Sequence, residues 1–139
     1  TWCDCLSPPF SGEGERVYDG YGRHIQLYQG VKAVLDELDE IGIPLALASR
    51  TERPDWARQL LDRLGIRKRF QYEEIFPDSK VTHLRNLSRS SGVRLEDMLF
   101  FDDEMRNLYD LRPLGVQCVF VPDGMNGTLF RQGIGLFEI

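Results

Sequence analysis

The sequence predicts an α/β domain built on a doubly wound parallel sheet, with helices on both faces. Three observations carry that expectation. Apolar runs of strand length recur at 43–48, 98–101 and 116–121, with a further strand around 72–76, and the apolar runs lack the polar alternation of a half-solvated sheet. Stretches with apolar residues at helical spacing fall between and after them, which is the alternation that right-handed crossovers require. The chain has 139 residues, of which 42% are hydrophobic and 28% charged, enough for one buried core and too apolar for disorder. Residues 1–139 are therefore expected to form a single domain.

Each element has a local reason. Residues 3–16 mix Ser, Pro and Gly with few apolar positions, which predicts an irregular loop pinned by Pro8, Pro9 and Phe10. From 17 to 28, β-prone residues flank Asp19-Gly20, a hairpin signal. After Gly30, Val31, Val34, Leu35, Leu38 and Ile41 recur at helical spacing, and Gly42 supplies a stop. The next helix has Pro54 near its first turn, buries Trp56, Ala57, Leu60, Leu61 and Leu64, and ends at Gly65. A third helix follows Asp78-Ser79 with Val81, Leu84 and Leu87 inward, and Gly92 breaks it. A shorter helix covers 105–111 before Pro113 and Gly115, and residues 128–137 form the last.

Composition narrows the function classes. A formal net charge of −5 offers no general attraction to nucleic acid or an anionic membrane, and no apolar stretch reaches bilayer length. Three cysteines, Cys3, Cys5 and Cys118, make no secreted disulfide framework, so a reducing compartment, the cytoplasm, is expected. Cys3 and Cys5 do not make a zinc site, because neither Cys118 nor the histidines His24 and His83 stand at ligand spacing.

In a parallel sheet of this kind ligands bind beyond the carboxyl ends of the strands. Those positions hold Ser49-Arg50-Thr51, then Lys80 at the start of a helix, then Asp102-Asp103. Adjacent carboxylates at the end of a buried strand need a cation or strong donors, and hard oxygen ligands suit Mg²⁺. Taken singly, each residue has a commoner explanation: Asp102-Asp103 as a solvated turn, Ser49 as a cap, Lys80 as a surface lysine. A lysine opposing a helix macrodipole nevertheless invites a bound anion, and the ordered set at successive strand ends outweighs its members.

The runs Leu45-Ala46-Leu47-Ala48-Ser49-Arg50-Thr51, Lys80, and Phe100-Phe101-Asp102-Asp103-Glu104-Met105-Arg106-Asn107 resemble motifs two, three and four of the haloacid dehalogenase superfamily. The likeness is nearest to its magnesium-dependent phosphatase 1 group. It extends over Pro8-Pro9-Phe10, Ile25-Gln26-Leu27-Tyr28, Ile75-Phe76-Pro77, Ser79-Lys80-Val81-Thr82-His83 and Asp123-Gly124-Met125, which is nearly the whole chain. The resemblance implies a Rossmann-like fold, an aspartate nucleophile, a second aspartate two residues later as acid and base, and Mg²⁺ between carboxylates and phosphate. The family's Asp-x-Asp-x-Thr motif does not occur here; Thr1-Trp2 looks like its tail, with Thr1 either the motif's own Thr or the residue after it. Asp4 does not substitute, having no apolar strand before it.

On that resemblance the nucleophile lies just upstream of Thr1, so residues 1–139 are expected to be an N-terminally incomplete domain that lacks its first strand and alone should turn over little or no substrate. Lys80 and Ser49 would act on the phosphoryl group, Arg50 would bind the substrate's anionic part, and Asp102 and Asp103 would hold Mg²⁺, with Asp102 the stronger ligand candidate. Asn107, one turn beyond Asp103, would either orient the acidic loop or be an ordinary helix residue. The spacing from Ser49 to Lys80 leaves no room for a large cap domain, so an open site is expected; the resemblance implies phosphate monoesters as substrates, either a phosphoprotein with phosphotyrosine or a small sugar phosphate. Trp2, Tyr18 and Tyr21 could stack on a substrate ring, though packing is the commoner role. The rival classes are an inactive phosphoryl- and metal-binding module and a phosphorelay receiver domain. The receiver reading is opposed by chain order, since those domains place the acidic pair early and the Lys last.

Overall fold

Glycine and proline set the helix limits, as the spacing predicts. The computed structural model describes residues 7–135, so the expectations for Thr1, Trp2, Cys3, Asp4, Cys5 and the last turn toward Phe137 lie outside the described residues. An antiparallel hairpin joins β1 (Val17–Tyr18) to β2 (His24–Ile25). Helix α1 (Val31–Ile41) stops at Gly42, whose φ of 79° is left-handed backbone that a Cβ would strain. Strand β3 (Ala46–Ser49) leads to α2 (Pro54–Arg63), which opens on Pro54 with Asp55 in its first turn.

The second half repeats the alternation. Strand β4 (Tyr72–Ile75) precedes α3 (Lys80–Ser91), where Ser79 caps the helix by accepting from the Thr82 amide at 3.2 Å. Strand β5 (Leu99–Asp102), helix α4 (Met105–Leu111), strand β6 (Gln117–Phe120) and helix α5 (Gly127–Gly135) complete the described chain. Residues 43–45, expected in β3, precede the strand; Pro44 lacks the amide hydrogen a ladder needs.

β3 pairs with β4 and β5 with β6, both parallel and in register from Ala46↔Tyr72 and from Leu99↔Gln117. Helices cover both faces. Val31, Val34, Leu35 and Leu38 of α1, Leu60 and Leu61 of α2 and Phe130 of α5 pack on one side with Leu45, Leu47 and Phe101. Leu84 and Leu87 of α3 and Leu111 of α4 pack on the other with Ala48 and Phe100. Leu60 and Leu61 are fully buried, and truncating either to Ala would cost about 2–5 kcal/mol.

The pairing of the strands positions the site. Among the described residues the parallel strands form two separate pairs, and β3 and β5 each have a partner on one edge only. A cavity of about 1530 Å³ is lined by both strands together with α1, α3 and α5. Ala46 is exposed and all four residues of β5 are only half-buried, although central strands of a doubly wound sheet are normally covered. The physical reason is that no described residue pairs with these two edges.

Candidate phosphoryl and metal site

The carboxyl ends of β3 and β5 and the start of α3 meet at this cavity, which Ser49, Arg50, Lys80, Asp102, Asp103 and Asn107 all line. Lys80 reaches the site because it sits on the inward stripe of α3 with His83, Leu84 and Leu87. Its side chain is 8% exposed, and its ammonium donates to the Ala48 carbonyl and stands 3.5 Å from Asp102 Oδ2. One cation thus touches both half-sheets. Burial pushes the Lys80 pKa below the ordinary lysine value; Asp102 opposes that shift and Arg50 adds to it. The surface-lysine alternative is thereby excluded.

Asp102 ends β5 with its side chain 9% exposed. Its Oδ1 accepts from the Glu104 amide at 2.8 Å, and its Oδ2 accepts from Asn107 Nδ2 at 3.1 Å. Asp103 is exposed, yet desolvation first and the neighbouring Asp102 second raise its pKa above the ordinary aspartate value. Negative charge at this strand end is only partly compensated by the protein. Ser49 Oγ accepts from the Thr51 amide at 3.4 Å, which leaves its own hydrogen free to donate elsewhere. Arg50 Nη1 donates to Asn107 Oδ1 at 3.0 Å.

The donor set fits a hard divalent cation. Asp102 and Asp103 provide two consecutive carboxylates, and among the described residues no group of three His, Cys, Asp or Glu side chains forms a cage. Mg²⁺ accepts such an arrangement, keeping waters and phosphate oxygens beside one or two carboxylates. Zn²⁺ in a closed structural site does not.

Sequence reasoning missed His83. It is fully buried, donates from Nε2 to the Phe76 carbonyl at 3.0 Å, and meets the Phe76 ring edge-on with centroids 4.5 Å apart. Burial holds its pKa down, so the neutral ring braces the turn that delivers Lys80. Position 83, three residues after Lys80 and beside Leu84 on one helix face, was the available signal. Of the hairpin aromatics, Tyr18 sets its ring against His24 across the hairpin with centroids 5.3 Å apart, whereas Tyr21 is 81% exposed, with the Arg23 guanidinium 5.4 Å from its ring centre.

A profile of the acid phosphatase family matches residues 1–138. The chain is 40% identical to the magnesium-dependent phosphatase 1 of Homo sapiens over 139 residues, covering 98% of this chain and 78% of that protein. It is 30% identical to a putative magnesium-dependent phosphatase of Saccharomyces cerevisiae, covering 94% and 84% respectively. Among solved structures, a haloacid dehalogenase-like hydrolase of Streptococcus pneumoniae superposes with a TM-score of 0.63 at 16% identity, over 78% of this chain and 52% of that one. At that identity the superposition speaks to fold alone.

Proposed function

We infer the chemistry from one premise: the chain belongs to the acid phosphatase family, with a haloacid dehalogenase-like fold, and is a magnesium-dependent phosphatase. Its proposed substrates are phosphate monoesters, phosphotyrosine or a sugar phosphate, admitted to an open site. The nucleophile proposed is an aspartate on an apolar strand upstream of Thr1, which attacks phosphorus as the ester P–O bond breaks and the alcohol leaves with a proton from a second aspartate two residues on; water, giving its proton to that aspartate, then hydrolyses the aspartyl-phosphate to orthophosphate. The observation that carries this reading is that the edges of β3 and β5 facing one cavity have no strand partner among the described residues, with Lys80 and Asp102 at the cavity's carboxyl end. A strand entering between those edges would satisfy both backbones and bring its last residues to the charged corner.

Each side chain then has a task. Asp102 and Asp103 would hold Mg²⁺, which when bound supplies positive charge beside the phosphoryl oxygens. The buried Lys80 ammonium stabilises charge on the transferring group, and burial strengthens that effect because water cannot screen it. Ser49 donates its hydroxyl hydrogen to a phosphoryl oxygen, and Arg50 binds the anionic part of the substrate.

The test is the coding sequence before Thr1, followed by activity. It should encode an apolar strand ending in Asp-x-Asp, and the chain carrying it should hydrolyse an aryl phosphate with Mg²⁺ whereas residues 1–139 alone should not. Robust turnover by residues 1–139 alone would show that the nucleophile has been misplaced.

A further inference from the structure

Arg50, half-buried at the site, is held by a neutral group. Among the described residues it makes no ion pair, and its hydrogen bond at 3.0 Å is to the neutral amide oxygen of Asn107. The other end of the same amide donates to Asp102 Oδ2 at 3.1 Å. Asn107 is 2% exposed, in the first turn of α4, and 57 residues from Arg50 in sequence, so this contact is made by the fold rather than by local chain geometry.

The choice of side chain matters here. Asparagine supplies one acceptor and one donor from a single planar, uncharged group. An aspartate at 107 could hold Arg50 equally well but would neutralise it and confront Asp102 with a second carboxylate. A leucine would take from Arg50 its hydrogen bond at this position and from Asp102 one of its donors, leaving Asp102 with Lys80 and the Glu104 amide. The neutral clamp fixes the guanidinium while leaving its charge for an incoming anion, and it does so against repulsion from Lys80, whose pKa Arg50 helps to depress.

We propose that Asn107 is a positioning residue that couples the phosphoryl-binding arm Arg50 to the metal-binding carboxylate Asp102, setting both in one fixed relation. This rests on the function proposed above. It goes beyond it by assigning the geometry of two ends of the site to one amide.

The experiment is a double-mutant cycle on the full-length chain, using Arg50→Met and Asn107→Leu. Binding of inorganic orthophosphate at saturating Mg²⁺, and of Mg²⁺ alone, is measured by calorimetry. Asn107→Leu should weaken both, each by roughly 10–100-fold, as removal of a residue that orients ligands typically does. Arg50→Met should weaken phosphate binding alone. The double variant should bind phosphate no more than about threefold less tightly than Arg50→Met, because Asn107 acts on phosphate through Arg50. Losses that multiply, or an Asn107→Leu chain that binds both as the unaltered protein does, would overturn the proposal. If circular dichroism shows that Leu unfolds this packed position, Asn107→Ser carries the same expectations. Should the unaltered full-length protein neither bind orthophosphate nor hydrolyse an aryl phosphate, the proposed function and this coupling both fall. If it does both and the cycle is additive, only the coupling falls.

Discussion

Two groups of charged side chains in this molecule use the same chemistry to opposite ends. On β4, Glu73 accepts from Arg67 at 2.7 Å and from Arg58 at 3.3 Å, and Arg67 also pairs with Asp62 at 2.9 Å. The Arg67 hydrogen bond holds the Glu73 carboxyl below its ordinary value, the behaviour of a group whose surroundings favour its charged form. At the ends of β3 and β5 the tendencies run the other way: the Lys80 pKa is pushed down by burial and the Asp103 pKa is pushed up. Each of these two shifts disfavours the charge the residue normally carries. A satisfied ion network holds structure, whereas a strained one is a place where a cation and an anion are expected to arrive.

The sharpest way to break that comparison is Lys80→Ala in the full-length chain. If Lys80 stabilises the phosphoryl transition state, kcat should fall by about 100-fold, equivalent to about 3 kcal/mol, and added Mg²⁺ should not restore it. A variant with unaltered kcat would put Lys80 among the structural charges.

Asp102→Asn should act differently and more weakly at saturation. Removing an anionic oxygen from the metal site should raise the Mg²⁺ concentration for half-maximal rate by roughly 10-fold or more, with partial recovery at high Mg²⁺. Rate against Mg²⁺ for Asp102→Asn and Lys80→Ala therefore separates metal binding from phosphoryl stabilisation, and identical curves for the two variants would remove that distinction.

The difference between the two groups also marks what the sequence could reveal. Helix limits were legible because Gly42, Gly92 and Pro54 act through local backbone preferences. The strand-end residues Ser49, Lys80 and Asp102 were legible because a parallel sheet gathers its strand ends at one edge. Burial of Lys80 was not read from the sequence, where Val81 took the inward position before Leu84 and Leu87, although 80, 84 and 87 share one helix face; the structural role of His83 needed its partner, the Phe76 carbonyl. The Arg50–Asn107 contact and the Glu73 network join residues on different elements, and nothing in local spacing announces them. The place of the gap, between β3 and β5, was not legible either, since apolar runs report that a strand is covered and not by which neighbour.

The smallest effect expected is at Glu73, and its sign follows from the direction of the shift. A folded pKa held below the ordinary value of about 4.5 means that, in the window between the two, the unfolded chain binds more protons than the folded one. The stabilisation Glu73 provides is thus fully present above the unfolded value and is lost as pH falls through the folded one. Its side chain is 21% exposed and its arginine partners 35–38%, so solvent screens the network and the contribution should be about 1 kcal/mol. Urea midpoints of the unaltered chain and Glu73→Gln should differ by a constant amount from pH 7 to about pH 5 and converge below the ordinary glutamate value, because a protonated Glu73 and a glutamine present similar neutral groups to Arg58 and Arg67. The phosphatase rate of Glu73→Gln at neutral pH should match that of the unaltered chain. A midpoint difference that persists undiminished to pH 3, or a rate that falls with the substitution, would mean that the β4 network is not the purely structural counterpart of the strand-end site.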